Sequence, residues 1–457
     1  MTMYTSLTPR STASLLNMTE DFRTMKRIRP ELYDKYHVCR GLRNPDGTGV
    51  MAGLTEVGSV QGYYIEDGEK TPMEGRLLYR GISVKDLITG CSKEDRFGFE
   101  ETCFLLLMGH LPTRDQLENF CSMLEELRPL PHMFTEDMIL KAPSANIMNK
   151  LARSVLTLYS YDDDPESMTP ENQLRLSLEL LARVPMIIAH GYAAKRCYFD
   201  KESLYLHRPL PGHSTAENIL ASIRQDQQYT KEEARLLDMC LILHAEHGGG
   251  NNSTFTCRVV SSSYTDIFAS IAAAVGSLKG PRHGGANIKC KQMIDYVAQN
   301  VSDWKDDEEI ARCITGILNH QGYDNSGLVY GMGHAVYTLS DPRAKILKRF
   351  SRNLAEIKGM EDRLNLIESV ERITPRVFAA VTGKDKVMCA NVDLYSGFVY
   401  EMLGIPEDLY TPLFAAARTA GWCAHRLEEI FNGSRIMRPA YKAVVPRSPF
   451  IPLDDRG

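Results

Sequence analysis

Three histidines stand beside glycines in this chain: His247 in HAEHGGGNNST, His283 in GPRHGGAN and His334 in YGMGHAVY. Glycine next to a histidine lets a backbone or a ligand come close to the ring. Each alone reads first as a turn with a histidine beside it; three of them between residues 247 and 334 weigh toward chemistry. Downstream, ANVDLYSG places Asp393 in a short turn-like segment, with Ser396 and Gly397 ahead of the next helix. The alternative for that carboxylate is a helix cap. Arg343 follows Asp341 and Pro342 in SDPRAKIL, near a helix start, and Arg418 lies among alanines in AAARTAGW. An arginine in so apolar a stretch either meets an internal carboxylate or binds an acidic ligand bidentately. SRIMRPAY adds Arg435 and Arg438. As a set these residues suit proton abstraction beside a carbonyl in a small acid. A carboxylate takes the carbon-bound proton while neutral histidines donate to oxygens that gain charge.

Other chemistries fit less well. GPRHGGAN is glycine-rich enough to cradle phosphate, but it carries an imidazole and lacks the P-loop lysine spacing. GMGHAV has only G-x-G and opens no βαβ unit. HAEH sets His244 and His247 three apart, near one face of a helix, but HExxH is absent and no acidic cluster completes a site, so no metal is expected. Lys and Arg number 53 against 58 Asp and Glu, a net charge of −5, which gives no electrostatic reason to expect nucleic acid. Eleven scattered cysteines without CxxC spacing read as reduced thiols in a cytoplasmic protein. The longest apolar runs, such as FASIAAAVGSL, are about half a membrane span, and no secretory h-region is seen, so no membrane partner is expected.

The elements that must hold these side chains are mostly helical. Residues 99–130 predict two helices broken at Gly109 and Pro112, and 171–196 predicts a helix, a kink at Pro185 and a second helix. Residues 231–246, 266–280, 290–301 and 412–431 predict further helices, the second opened by Asp266 and closed by Gly280 and Pro281. Strand signals are confined to about 50–82, a small hairpin around Asp67 and Gly68. No βαβ alternation and no fixed repeat appear. The expected class is mainly α and multi-helical, of enzyme size.

At these residues the sequence resembles the citrate synthase family. HAEHGGGNNST, LKGPRHGGAN, GMGHAVYTLSDPR and NVDLYSG occur in order, followed by ARTAGW and RIMRP, with LLYRGISVKDL and FEETCFLLLMGHLPT upstream. The resemblance covers roughly residues 55–445 and leaves 1–50 without a motif. It implies a two-domain helical fold with a hairpin near the N-terminus. Residues 1–286 and 394–457 would form the large domain, and 287–393 a small domain that closes over the cleft. It implies a homodimer and an acyltransferase that condenses acetyl-CoA with oxaloacetate and hydrolyses the citryl thioester to citrate and CoA, with no resident cofactor. Carried over by position, Asp393 is the base for the acetyl methyl proton, and His283 stabilises the enol or enolate. His334 polarises the ketone and protonates the alkoxide. His247, Arg343 and Arg418 hold oxaloacetate, with Arg438 contributed across the dimer. A helix starting near 287 would disfavour an imidazolium at His283. Gly331, Gly333, Ala335 and Asn391 would lie along CoA. Thr338 stands where the family often carries a cation for CoA phosphate, leaving that task to Lys384 or Lys386. The same machinery with propionyl-CoA would make 2-methylcitrate. A non-catalytic helical relative that binds a tricarboxylate is disfavoured by the presence of His283, His334 and Asp393 together.

Overall fold

The computed structural model describes residues 8–24, 28–66, 69–384, 387–432 and 435–455. The chain divides into two units, residues 1–52 with 438–457, and residues 53–437. In the first, the helix Pro9–Thr24 buries none of its residues, and Lys442 lies 5.8 Å over the ring of Tyr36.

The second unit is built around the helix Tyr410–Phe431, which is buried on nearly every side. Its run of small apolar residues lets neighbours approach all round, and Pro412 falls in the first turn, where its missing N–H costs nothing. Helices Phe99–Met108, Pro170–Tyr198, Lys231–His244, Asn252–Ser261 and Ile267–Leu278 pack against it. A further group places Val392–Met402 on Ala286–Asn300 and Pro342–Lys358, and Asp307–Leu318 on Glu361–Thr382.

Local signals explain most of the element ends. Thr113, Ser214 and Thr230 form capping boxes, Asp266 caps the helix it was expected to open, and Gly109 ends Phe99–Met108 at φ +85°. Two expectations are corrected. Pro170–Tyr198 runs as one helix through Pro185, whose surroundings are buried and hold the segment helical despite the lost hydrogen bond. The helix Lys231–His244 ends at its histidine, so HAEH does not present two histidines on one helix face.

Strands β1 (Gly58–Glu66), β2 (Glu69–Tyr79) and β3 (Ile82–Ser83) form the expected antiparallel hairpin with a short third strand. Glu66 pairs with Glu69, and the intervening turn at Asp67 and Gly68 lies outside the described residues. The hairpin is pressed onto residues 336–340. A Cβ at Gly62 would lie 2.5 Å from Tyr337 Cα, and one at Gly75 would overlap the Ser340 carbonyl oxygen and sit 2.7 Å from the Tyr337 ring. Thr338 Oγ1 donates to the carbonyls of Gly62 and of Met73, the latter at 3.2 Å. The residue that stands in place of a cation is thus a clasp between the strands and the segment leading to Arg343. Gly75→Ala is expected to lower stability by about 1–3 kcal/mol through this overlap. A denaturant midpoint equal to the wild type would show that the contact is not tight.

No helix among the described residues is long and apolar enough to cross a membrane. All eleven cysteines are free thiols.

Candidate active site

His247, just ahead of GGGNN, lies three residues past the end of the helix Lys231–His244. Beyond His244 the chain turns through Glu246, whose carboxylate accepts the Gly248 N–H, and Gly248 takes φ +82°. His247 is thereby buried with its Nε2 unpartnered. Its ring meets those of His334 and Tyr337 edge-on, with centroids 5.2 and 5.5 Å away. Burial, then the charges of Arg343 and Arg418 among its neighbours, holds His247 neutral, well below the usual histidine range.

The loop that leads into His334 is tied to the one that leads into Asp393. Met332 and Ala390 form an isolated antiparallel bridge. Gly333 N donates to Cys389 O at 2.7 Å, Asn391 N to Gly331 O at 2.8 Å and Asn391 Nδ2 to Gly333 O at 2.9 Å. Gly331 and Gly333 adopt φ +82° and +86°, which glycine alone enters without cost. His334 Nδ1 accepts from the backbone N–H groups of Val336 and Tyr337 at 3.0 and 3.1 Å. Its neutral ring therefore carries the proton on Nε2.

Asn391, not Asp393, caps the helix Val392–Met402, accepting the Asp393 N–H at 2.9 Å. This leaves the half-buried Asp393 carboxylate uncommitted to capping. Burial pushes its carboxyl up to about 6; Arg343 and Asn287 act against that shift and Asp341 with it.

His283 lies in the turn between Ile267–Leu278 and Ala286–Asn300. Its Nε2 is 3.0 Å from Ser253 Oγ and accepts the Ser253 N–H at 3.4 Å, so its proton is on Nδ1. Burial, with a contribution from Arg418, lowers it to about 4. The neutral form expected from a helix N-terminus is present, and burial accounts for it first.

Both arginines are deep. Arg343 opens the helix Pro342–Lys358 and holds Asp341 bidentately, at 3.0 Å through Nε and 2.7 Å through one terminal nitrogen. Arg418 is fully buried; its Nε donates to the His244 carbonyl at 2.6 Å, and both terminal nitrogens are without a partner. Burial brings it down to about 10, with Arg343 adding to the fall and Glu246 opposing it. It remains a cation at neutral pH.

The field of these groups reaches across the site: Arg418 acts on His247 and His283, and Arg343 on His247 and Asp393. Sequence reasoning missed the phenol of Tyr337, buried and unpartnered between His334 and Arg343, and Glu246, visible only as the acidic residue inside HAEH. Lys384 is exposed beyond Gly383, and Ala335 is exposed beside His334. Lys386 lies outside the described residues. Arg435 is exposed, and the exposed Arg438 belongs to the unit formed by the chain ends. Among the described residues no histidine, cysteine or carboxylate group is arranged to hold a metal ion.

A mainly helical protein that gathers buried arginines, neutral histidines and a carboxylate of raised pKa has the equipment for acid–base chemistry on a small acid. The citrate synthase C-terminal domain model matches residues 46–440. A citrate synthase of Deinococcus radiodurans is 32% identical over 366 residues, 80% of this chain and 89% of its own. A 2-methylcitrate synthase of Shewanella oneidensis is 32% identical over 382 residues, 83% and 92%. Among solved structures, a citrate synthase of Thermoplasma acidophilum in ternary complex with carboxymethyl coenzyme A and oxaloacetate superposes with a TM-score of 0.74 at 25% identity, covering 92% of this chain and 99% of that one. The chain belongs to the citrate synthase family, and it is an enzyme of the acyltransferase class.

Proposed function

We propose that the protein condenses acetyl-CoA with oxaloacetate and hydrolyses the resulting thioester to citrate and CoA. The observation that carries this reading is Arg418: two terminal nitrogens of a buried guanidinium with no partner suit a substrate carboxylate. Arg343 and the neutral His247 border the same place and serve the second carboxylate and the ketone acid's oxygens.

Asp393 takes a proton from the acetyl methyl group. The thioester oxygen gains the charge, and the Nδ1–H of His283 donates to it. The enol carbon attacks the oxaloacetate ketone, whose oxygen becomes an alkoxide and receives the proton of His334 Nε2. Water then cleaves the citryl thioester, and CoA leaves. The acyl chain and CoA would run past Gly331, Gly333, Ala335 and Asn391, with Lys384 available for phosphate. The reading needs no resident cofactor or metal. Because the oxaloacetate ligands are buried, entry requires separation of the segments around them, and residues 287–393 are the part proposed to move. The reading includes a cytoplasmic homodimer in which Arg438 of the partner subunit completes the dicarboxylate pocket.

A second acyl donor is favoured by one observation: the relatives named citrate synthase and 2-methylcitrate synthase are equally similar, each at 32% identity. The two thioesters differ by one methylene, a discrimination of about 10–200-fold. A thiol-release assay with oxaloacetate decides. Acetyl-CoA is expected to give the higher kcat/KM; a higher value for propionyl-CoA would reassign the substrate, and no release with either would remove the catalytic reading.

A further inference from the structure

We propose that Glu246, drawn aside by His425, is the positioning residue that keeps Arg418 open for oxaloacetate and sets the loop carrying His247. The inference rests on the functional reading above and adds to it a group that does not touch substrate.

Arg418, Gly421 and His425 are spaced i, i+3, i+7 on the helix Tyr410–Phe431, and so share one face. That face meets Glu246, which is wholly buried. A Cβ at Gly421 would lie 2.5 Å from Glu246 Oε2 and 2.5 Å from the Ala245 carbonyl, so glycine is the residue that lets the helix come this close. On the opposite side, a Cβ at Gly58 would lie 2.8 Å from Glu246 Cγ. The carboxylate is therefore enclosed by a helix, a loop and the start of β1.

Its partners explain where it points. His425 Nε2 lies 3.0 Å from Glu246 Oε1. The other ring nitrogen, Nδ1, accepts from Arg258 at 2.9 Å, which leaves the histidine proton on Nε2, directed at Glu246. Arg258 is held in turn by Glu428 at 2.7 Å and Glu429 at 2.8 Å. The same Oε1 accepts the Gly248 N–H, one residue past His247. Glu246 is thus bonded at both ends of its task, to the helix that carries Arg418 and to the loop that carries His247.

The consequence is electrostatic. A buried guanidinium is costly without a nearby anion, and a bonded anion would occupy the donors that substrate needs. Glu246 supplies the charge and not the hydrogen bonds: its field favours the Arg418 cation, while Glu246 Oε2 and both terminal nitrogens of Arg418 remain without partners. Without the His425 bond the carboxylate is released to pair with Arg418 directly and compete with oxaloacetate.

The test uses the full-length enzyme and three variants, with oxaloacetate KM, acetyl-CoA KM and calorimetric oxaloacetate Kd as readouts. His425→Leu is expected to raise oxaloacetate KM and Kd about tenfold, the loss of one charge-assisted hydrogen bond, and to leave acetyl-CoA KM within about twofold. His425→Gln is expected to restore most of the affinity, because its amide can both donate to Glu246 and accept from Arg258. Glu246→Gln is expected to weaken oxaloacetate in the same selective way. Wild-type oxaloacetate binding in His425→Leu, or equal defects in His425→Leu and His425→Gln, would overturn the assignment. Should His425→Leu fail to fold, Glu246→Gln alone decides: a selective rise in oxaloacetate KM supports the role, and a wild-type value overturns it. A wild-type enzyme that binds no oxaloacetate would instead bring down the functional reading, and this inference with it.

Discussion

Asp393→Asn is expected to lower kcat by about 10²–10⁴-fold, the usual range for a positioned base, while oxaloacetate still binds. The amide is nearly isosteric, so the helix Val392–Met402 keeps its cap at Asn391 and the arginines keep their places. What is lost is the only step that needs a lone pair on this side chain. Burial raises the carboxyl to about 6 from an ordinary 3.8, which makes the carboxylate a stronger base that is still ionised at neutral pH. The wild-type kcat/KM should therefore fall about tenfold per unit as pH drops below about 6. The stability effect has the opposite direction. A carboxyl with a raised folded-state pKa stabilises the fold fully below pH 3.8, and that contribution is lost as pH rises through about 6. The ionised form thus costs stability at pH 7.5, and Asp393→Asn should have the higher Tm there but not at pH 3.5. Thiol release, oxaloacetate calorimetry and a pair of melting curves test all three; residual turnover close to the wild type would remove Asp393 from the role of base.

Arg418→Met is expected to weaken oxaloacetate by about 10²–10³-fold, corresponding to the ~2–5 kcal/mol lost when one partner of a buried charge pair is removed. The Arg418 guanidinium is hydrogen-bonded through one nitrogen alone. Its Nε is satisfied by the His244 carbonyl, its plane lies 4.8 Å over Phe414, and both terminal nitrogens have no partner. A buried polar group in that condition costs stability unless something binds it. The ligand-free variant should therefore melt at or above the wild-type temperature. Oxaloacetate should raise the wild-type Tm by mass action and leave the variant's unchanged. An equal shift in both proteins would show that Arg418 does not hold the dicarboxylate.

Helices were legible because their signals are local. Capping residues at Thr113, Ser214, Thr230 and Asp266 lie within a turn of the groups they satisfy, and the apolar stripes repeat at helical spacing. The same local logic failed at Pro185, where buried neighbours hold a helix that proline alone would break, and at HAEH, where the helix stops one residue into the motif. It also left open whether Asp393 is the cap, since asparagine and aspartate two residues apart are both competent and only the backbone path chooses between them.

By itself the sequence determined the helical class, the hairpin and the residue types able to act as base, hydrogen-bond donors and anion ligands, all of which depend on side-chain chemistry and near spacing. Only the tertiary structure decided the state of each. Ser253 sets the tautomer of His283 from 30 residues away, and the Arg418 guanidinium is aimed by a carbonyl 174 residues distant. Burial, not spacing, holds His283 near 4 and Asp393 near 6. Thr338 shows the division plainly: as a residue type it is a missing cation, and in the fold it is the clasp that joins the hairpin to the segment ending at Arg343. Desolvation and hydrogen-bond direction are properties of packed surfaces, and segments far apart in the chain supply them.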